Sequence, residues 1–238
     1  LDVVAISGTP AEPRFDNSSP AIEYAVRMRR FEQSRMLCAQ LAEGRLKPSH
    51  IDRLAERVAD FHGSIAIASE RTPFGSAPGV RAPVDENLRQ LSQRPAELAD
   101  RADGLLDILS AWFPKEFERR TPDFERRKRA GCVRECHGDM HLGNMILDDA
   151  GDVTIFDGIE FNDSLRWIDV ASEVAFLTMD LSYRGRPDLS HRLLNAYLER
   201  TRDDDLLRVL PYYQAYRATV RAKVALLRRG QPELSDHA

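Results

Sequence analysis

Residues 137–144 read His137-Gly138-Asp139-Met140-His141-Leu142-Gly143-Asn144, and Ile155-Phe156-Asp157-Gly158 follows shortly after. Two carboxylates and one amide at this spacing suit phosphoryl transfer from a nucleotide, with one acid to meet an acceptor hydroxyl and an Asn/Asp pair to hold magnesium. Such a reaction asks for little covalent chemistry; the nucleophile has to be aligned and the triphosphate charge neutralised. Asp139, in a tight loop after Gly138, is the candidate base for the hydroxyl proton. Asn144 and Asp157 offer oxygens to magnesium, a hard cation that takes one or two carboxylates together with phosphate oxygens and water. Asp157 interrupts an apolar run from Val153 to Ile159, where a charge is costly unless paired or metal-bound, and Gly158 lets the chain turn directly after it. His137 and His141 are expected to orient the loop by hydrogen bonds rather than to react, and Asp169 to anchor the loop's backbone from a helix. His62, at the end of an apolar helix face, reads as a packed core histidine.

The elements that carry these residues follow from periodicity. Residues 1–7 form a short apolar strand, and 8–20 are a turn-rich connection. Ile22, Tyr24, Val26 and Met28 alternate with less apolar neighbours, the pattern of a half-buried strand that pairs with the first as a hairpin. Beyond Arg30 the period becomes helical: Ile51, Leu54, Ala55, Val58 and Phe61 share a stripe, with Ser49 and Asp52 at capping-box-like spacing after Pro48. Five prolines and glycines in 71–83 predict an exposed loop without regular structure. Helical signal returns over 84–93 and 95–113, and the mixed charges of 115–129 predict a solvated helix face. Short β pieces in 133–149 and 153–159, joined by a turn at 148–152, place the metal-ligand candidates on a hairpin. From Leu165 onward the chain is expected to be helical, with Ile168, Ala171, Val174, Ala175 and Met179 on one face and a last helix starting near Asp203-Asp204-Asp205.

Composition narrows the function classes. With 238 residues and 42% hydrophobic content the chain can build a sizeable core. A net charge of −4, from 34 basic and 38 acidic residues, gives no basic field for nucleic acid or an anionic membrane. No apolar run approaches the roughly 20 residues of a membrane span, and no signal-peptide pattern opens the chain, so a cytoplasmic location is expected. Cys38, Cys132 and Cys136 are odd in number and irregularly spaced, which suits free, inert thiols, and zinc would need further ligands beside them.

At the His137–Asn144 motif and Asp157 the sequence resembles the aminoglycoside phosphotransferase family of small-molecule kinases. The likeness extends to residues 21–31, 157–162, 166–172 and 216–224, which look like one bacterial branch where this domain often precedes a P-loop nucleotide-kinase-like domain. The resemblance implies an α+β, protein-kinase-like fold with a mostly helical C-lobe, a short catalytic hairpin and a truncated N-lobe β-sheet. It implies residues 1–30 as the remnant of the N-lobe sheet and hinge, and 31–238 as the C-lobe. By the same likeness Asp139 is the catalytic base, Asn144 and Asp157 bind Mg2+, and the backbone at Met28 and Arg29 is the hinge that meets the adenine of ATP or GTP.

The family's Gly-rich loop and strand lysine have no counterpart here: Lys47, Lys115, Lys128 and Lys223 all follow the hinge, and the chain opens on Leu1. The expectation is therefore a fragment, inactive by itself, of a kinase acting on a small-molecule hydroxyl. Its partners would be a nucleotide, the acceptor and a fused or associated P-loop domain, with no nucleic acid and no membrane. A dimer could form through the free sheet edge. Glu160, Asp163 and Asp180 would suit a cationic acceptor, with Glu160 favoured for its closeness to Asp157. An aminoglycoside is not required, because a fold does not fix the acceptor. One rival is a non-catalytic nucleotide-sensing module for an attached P-loop domain. Another is a dinuclear metallohydrolase, suggested by Gly138-Asp139-Met140-His141 but lacking the further histidine boxes.

Overall fold

The computed structural model describes residues 2–15, 20–27, 30–93 and 104–229. The hinge candidates Met28 and Arg29, and the first part of the helix expected over 95–113, lie outside the described residues. Two compact units emerge, Leu1–Arg35 and Met36–Ala238.

The first unit is an antiparallel sheet of β1 (Asp2–Thr9), β2 (Glu12–Arg14) and β3 (Glu23–Arg27) in the order β2-β1-β3. The expected pairing of the first and last strands forms in the register Val3↔Val26 and Ala5↔Tyr24. The connection read as irregular contributes β2, turned back at Pro10 and Ala11. The alternating apolar face is not half-buried: Val3, Ile22, Tyr24 and Val26 are 45–66% exposed.

The second unit is mostly helical. α1 (Leu37–Ala42) leads to α2 (Pro48–Ser64), which buries Ile51, Leu54, Ala55, Val58, Ala59 and His62 on one stripe. Its cap falls earlier than the sequence suggested: Lys47 is the N-cap, Pro48 takes the first turn where its missing N–H costs nothing, and Lys47 N donates to His50 Nδ1 at 3.2 Å. The proline- and glycine-rich stretch is regular in its second half. α3 (Ala77–Ser92) begins at N-cap Ser76, whose Oγ accepts from Gly79 N, and it carries Pro78 in its first turn and Pro83 inside.

α4 (Leu105–Arg129) absorbs the mixed-charge stretch, and the expected solvated face is only partly so. Glu116, Asp123 and Arg127 are buried, the last to 1% exposure, because Arg127 pairs across the fold with Asp169 and Asp203. β4 (Val133–Glu135) pairs antiparallel with β7 (Trp167–Asp169), and β5 (Met145–Leu147) with β6 (Val153–Ile155). The β5–β6 turn is tied by Asp148 Oδ1, which accepts from Ala150 N and Asp152 N at 2.9 and 2.8 Å. The short helix α5 (Asp163–Arg166) and β7 interrupt what the sequence read as continuous helix, so Ile168 is a strand residue. Then come α6 (Val170–Tyr183), α7 (Pro187–Thr201) and α8 (Leu206–Arg229). α6 is covered on nearly all sides and forms the axis of the core with Leu54, Val58, Leu193 and Val209. Among the described residues no helix is long and apolar enough to cross a membrane.

Candidate active site

Loop 137–144 runs from the end of β4 into β5 and rests on one stripe of α6. Glu173, Phe176 and Asp180 are three and seven residues apart, so they line up along two turns of a helix rising about 1.5 Å per residue. Glu173 Oε1 accepts from Gly138 N at 2.6 Å and Oε2 from His137 N at 3.2 Å. Asp180 Oδ2 accepts from Leu142 N at 3.1 Å, and the Phe176 ring meets His141 edge-on at 5.3 Å. From α8, Arg217 Nη1 donates to Gly138 O at 3.0 Å. The loop's backbone is thus held by side chains at two ends of α6 and from α8.

Glu173 is fully buried, which by itself would push its carboxyl up. Hydrogen bonds from His62 and Gly138 outweigh the burial and hold it below the ordinary glutamate value. His62 does more than pack: Nε2 lies 3.0 Å from Glu173 Oε2 and Nδ1 2.8 Å from Tyr197 Oη. Cys136 sits close enough to these two for their ligand atoms to resemble a metal site. Burial keeps its thiol well above the usual range, however, and the Glu173 oxygens are already spoken for by the loop amides, so the cluster is a brace. Cys38, Cys132 and Cys136 are all free, and burial pushes Cys132 up to about 11, consistent with inert thiols.

Within the loop, Asn144 Nδ2 donates both to Asp139 O at 3.0 Å and to Asp139 Oδ2 at 3.1 Å. That fixes the amide's orientation and leaves Asn144 Oδ1 without a hydrogen-bond partner among the described residues. His141 Nδ1 accepts from Gly143 N at 3.0 Å, so the neutral ring carries its proton on Nε2, which lies 3.5 Å from Asp139 Oδ2. Burial raises the Asp139 carboxyl, but His141, Arg217 and Asn144 together outweigh it and hold the group below its ordinary value.

The Asp157 turn is clamped onto this loop by three bonds. Phe156 N donates to Asn144 O at 3.0 Å, His137 Nε2 donates to Phe156 O at 2.8 Å, and Ile159 N donates to His137 O at 2.8 Å. His137 Nδ1 accepts from Asp139 N, which is why Nε2 is the protonated nitrogen. Asp157 itself adopts φ 63°, a left-handed conformation that costs a non-glycine residue of order 1–3 kcal/mol and persists only where the surroundings over-determine it. Its carboxylate is exposed. An exposed carboxylate and a free amide oxygen on clamped neighbouring segments are hard donors of the kind magnesium takes, so the residues present fit that ion.

Gly138 lies at φ +87°, and a Cβ there would come within 2.8 Å of Leu165 O. Gly138→Ala is therefore expected to destabilise the chain by about 1–3 kcal/mol, read as a lowered urea midpoint at unchanged slope. An unchanged midpoint would show that the loop is free to relax.

The structure corrects two assignments. Asp169 makes no hydrogen bond to loop 137–144. It is the N-cap of α6, accepting from Ala171 N at 2.9 Å, and both its oxygens are bound by Arg127; Glu173, one turn further on, holds the loop. Asp180 does not face an acceptor, because it is fully buried and bonded to Leu142 N and Arg184. Asp163 pairs with Arg166, and Glu160 is exposed. Glu173, Asp180 and Arg217 as loop holders were missed; the signal available was a pair of acids seven apart in an otherwise apolar helix.

Residues 33–212 match the family model described as "Phosphotransferase enzyme family". Among curated proteins, the uncharacterized protein Rv2004c of Mycobacterium tuberculosis and the uncharacterized protein Mb2027c of Mycobacterium bovis are each 30% identical to this chain over 233 residues. Those alignments cover 94% of this chain and 45% of either relative, so the chain spans about half the length of the curated relatives it matches.

Proposed function

The chain belongs to the phosphotransferase enzyme family and has the corresponding protein-kinase-like α+β fold, and on that premise we propose that, within the complete gene product, it transfers the γ-phosphoryl group of ATP or GTP to a hydroxyl of a small molecule. The observation that carries this reading is the clamp of the Asp157 turn onto the loop bearing Asp139 and Asn144.

Asp139 accepts a hydrogen bond from the acceptor hydroxyl and takes its proton as the oxygen–phosphorus bond forms. Its depressed pKa keeps it ionised at neutral pH, ready to accept. Asn144 Oδ1 and the Asp157 carboxylate would hold Mg2+, which supplies charge neutralisation for the phosphate oxygens when bound. His137 and His141 keep the loop in shape through Phe156 O and Gly143 N and do not exchange protons with substrate. The backbone at Met28 and Arg29 belongs to the proposal as the adenine-binding hinge.

Calorimetric titration of Mg-ATP and Mg-GTP into this chain, its Asp157→Ala variant and the complete gene product tests the reading. Binding is expected to require magnesium and to weaken at least about tenfold, or 1.4 kcal/mol, in the variant. Failure of every form to bind either nucleotide, or binding indifferent to magnesium and to Asp157, would overturn it.

A further inference from the structure

A cavity of about 410 Å³ opens beside loop 137–144, between the start of α3, the segment from Asn162 to Asp169, and α8. Its walls are mainly aromatic and aliphatic. Phe74 and Trp167 are stacked with centroids 5.9 Å apart and planes 10° from parallel, and Val80, Tyr213 and Tyr216 complete an apolar slot. Two contacts join the slot to the loop. Leu165, a lining residue, has its carbonyl against Gly138, and Arg217, another, donates to Gly138 O at 3.0 Å.

The charges around the slot are arranged against a polycation. Asp169 has both carboxylate oxygens bound by Arg127 at 2.8 and 2.9 Å. Glu86 has both oxygens bound by Arg89 at 2.8 and 2.6 Å. Arg217 lies over the Phe176 and Tyr216 rings at 4.9 and 5.5 Å and brings a positive charge to the wall. An ammonium group entering this space would shed its water and meet, among the described lining residues, only carboxylates already bound by arginines, whereas a flat apolar body would gain burial against the rings.

Building on the phosphotransferase reading, we propose that this cavity is the acceptor site and that the acceptor is an alcohol with a flat, apolar body and no amino groups. Its hydroxyl oxygen attacks the γ-phosphorus and forms the new O–P bond. The bond from the γ-phosphorus to the bridging oxygen breaks, the nucleoside diphosphate leaves with that electron pair, and the hydroxyl proton passes to Asp139.

The chain holds two tryptophans, so in Trp112→Phe the emission reports on Trp167 in the slot. Cinnamyl alcohol and the aminoglycoside kanamycin are titrated into this chain with and without Phe74→Ala and with and without Glu86→Gln, and Mg-ATP binding is measured separately by calorimetry. Saturable quenching by cinnamyl alcohol, weakened at least tenfold by Phe74→Ala and unmoved by Glu86→Gln, is the expected result, with no saturable response to kanamycin. Saturable kanamycin binding that Glu86→Gln weakens would overturn the proposal in favour of a cationic acceptor, and no response to either probe would remove the cavity as the acceptor site. Magnesium-dependent nucleotide binding without an alcohol response sinks the cavity assignment alone. An alcohol response without nucleotide binding in the complete gene product sinks the phosphotransferase reading, and with it the cavity's role as an acceptor site.

Discussion

In the complete gene product, Asp139→Asn is expected to lower the turnover of phosphoryl transfer about 10²–10⁴-fold, the range of general-base contributions, while leaving magnesium-dependent nucleotide binding intact. The substitution is nearly isosteric: an amide oxygen can still accept from Asn144 Nδ2, which bonds Asp139 Oδ2 at 3.1 Å, so the loop keeps its geometry. What disappears is basicity. An effect of this size corresponds to about 3–5 kcal/mol of barrier at 1.36 kcal/mol per tenfold, well above what a lost hydrogen bond at a part-exposed carboxylate would explain. The readout is steady-state transfer from γ-labelled nucleotide, with kcat and KM separated, because loss of a proton acceptor falls on kcat. The pH profile provides a second check. The folded carboxyl is held below its ordinary value of 3.8, so it is ionised above that pH and its contribution fades only as pH falls lower. The acid limb of the rate should therefore lie below pH 3.8 as far as this group is concerned. A variant that transfers phosphoryl groups at the parental rate would remove Asp139 as the base.

The residues proposed for the site stand out in the sequence because their types are unusual for their places. A carboxylate inside Val153–Ile159 and an Asp-x-x-x-x-Asn spacing within one short loop need no tertiary knowledge to stand out. The helix α2 was legible where one apolar stripe faces the core, and α6 from apolar residues at helical spacing. Illegible were the features set by contacts between distant segments. β7 is three residues long and exists because Val133–Glu135 lies beside it, so no local period announces it. α3 begins inside a Pro/Gly-rich run because prolines are tolerated in a first turn and Gly79 brings the backbone close to Pro73 O, where a Cβ would stand at 2.8 Å. The apolar face of β3 shows the converse: the alternation was there, but Tyr24 and Val26 remain exposed. Arg127 is the clearest loss. Among eleven mixed charges in 115–129 nothing local distinguishes the three that are buried, Glu116, Asp123 and Arg127.

Arg127→Met is expected to cost about 3–5 kcal/mol of stability, the penalty for breaking a buried ion pair by removing one partner. Arg127 is 1% exposed and donates four hydrogen bonds: Nε and Nη2 to Asp169 at 2.8 and 2.9 Å, and Nη1 and Nη2 to Asp203 at 2.7 and 2.8 Å. Burial alone would lower its pKa, but the two carboxylates reverse the shift, so the guanidinium stays charged. Methionine keeps most of the buried stem and its packing and deletes the fork, leaving Asp169 almost without solvent and without its cation. The loss should appear as a lower urea midpoint at constant slope. Adding Asp169→Asn to Arg127→Met should recover part of it, because an asparagine can still cap Ala171 N and carries no buried charge. A loss under about 1 kcal/mol, the size of an exposed pair, would show that the triad is hydrated in solution. The consequence reaches the site through one helix: Asp169 caps α6, whose next turn carries Glu173, which holds the Gly138 and His137 amides. Turnover of the complete gene product carrying Arg127→Met should therefore fall under conditions where it is still folded, and the Asp169→Asn companion that recovers part of the midpoint should recover turnover in step.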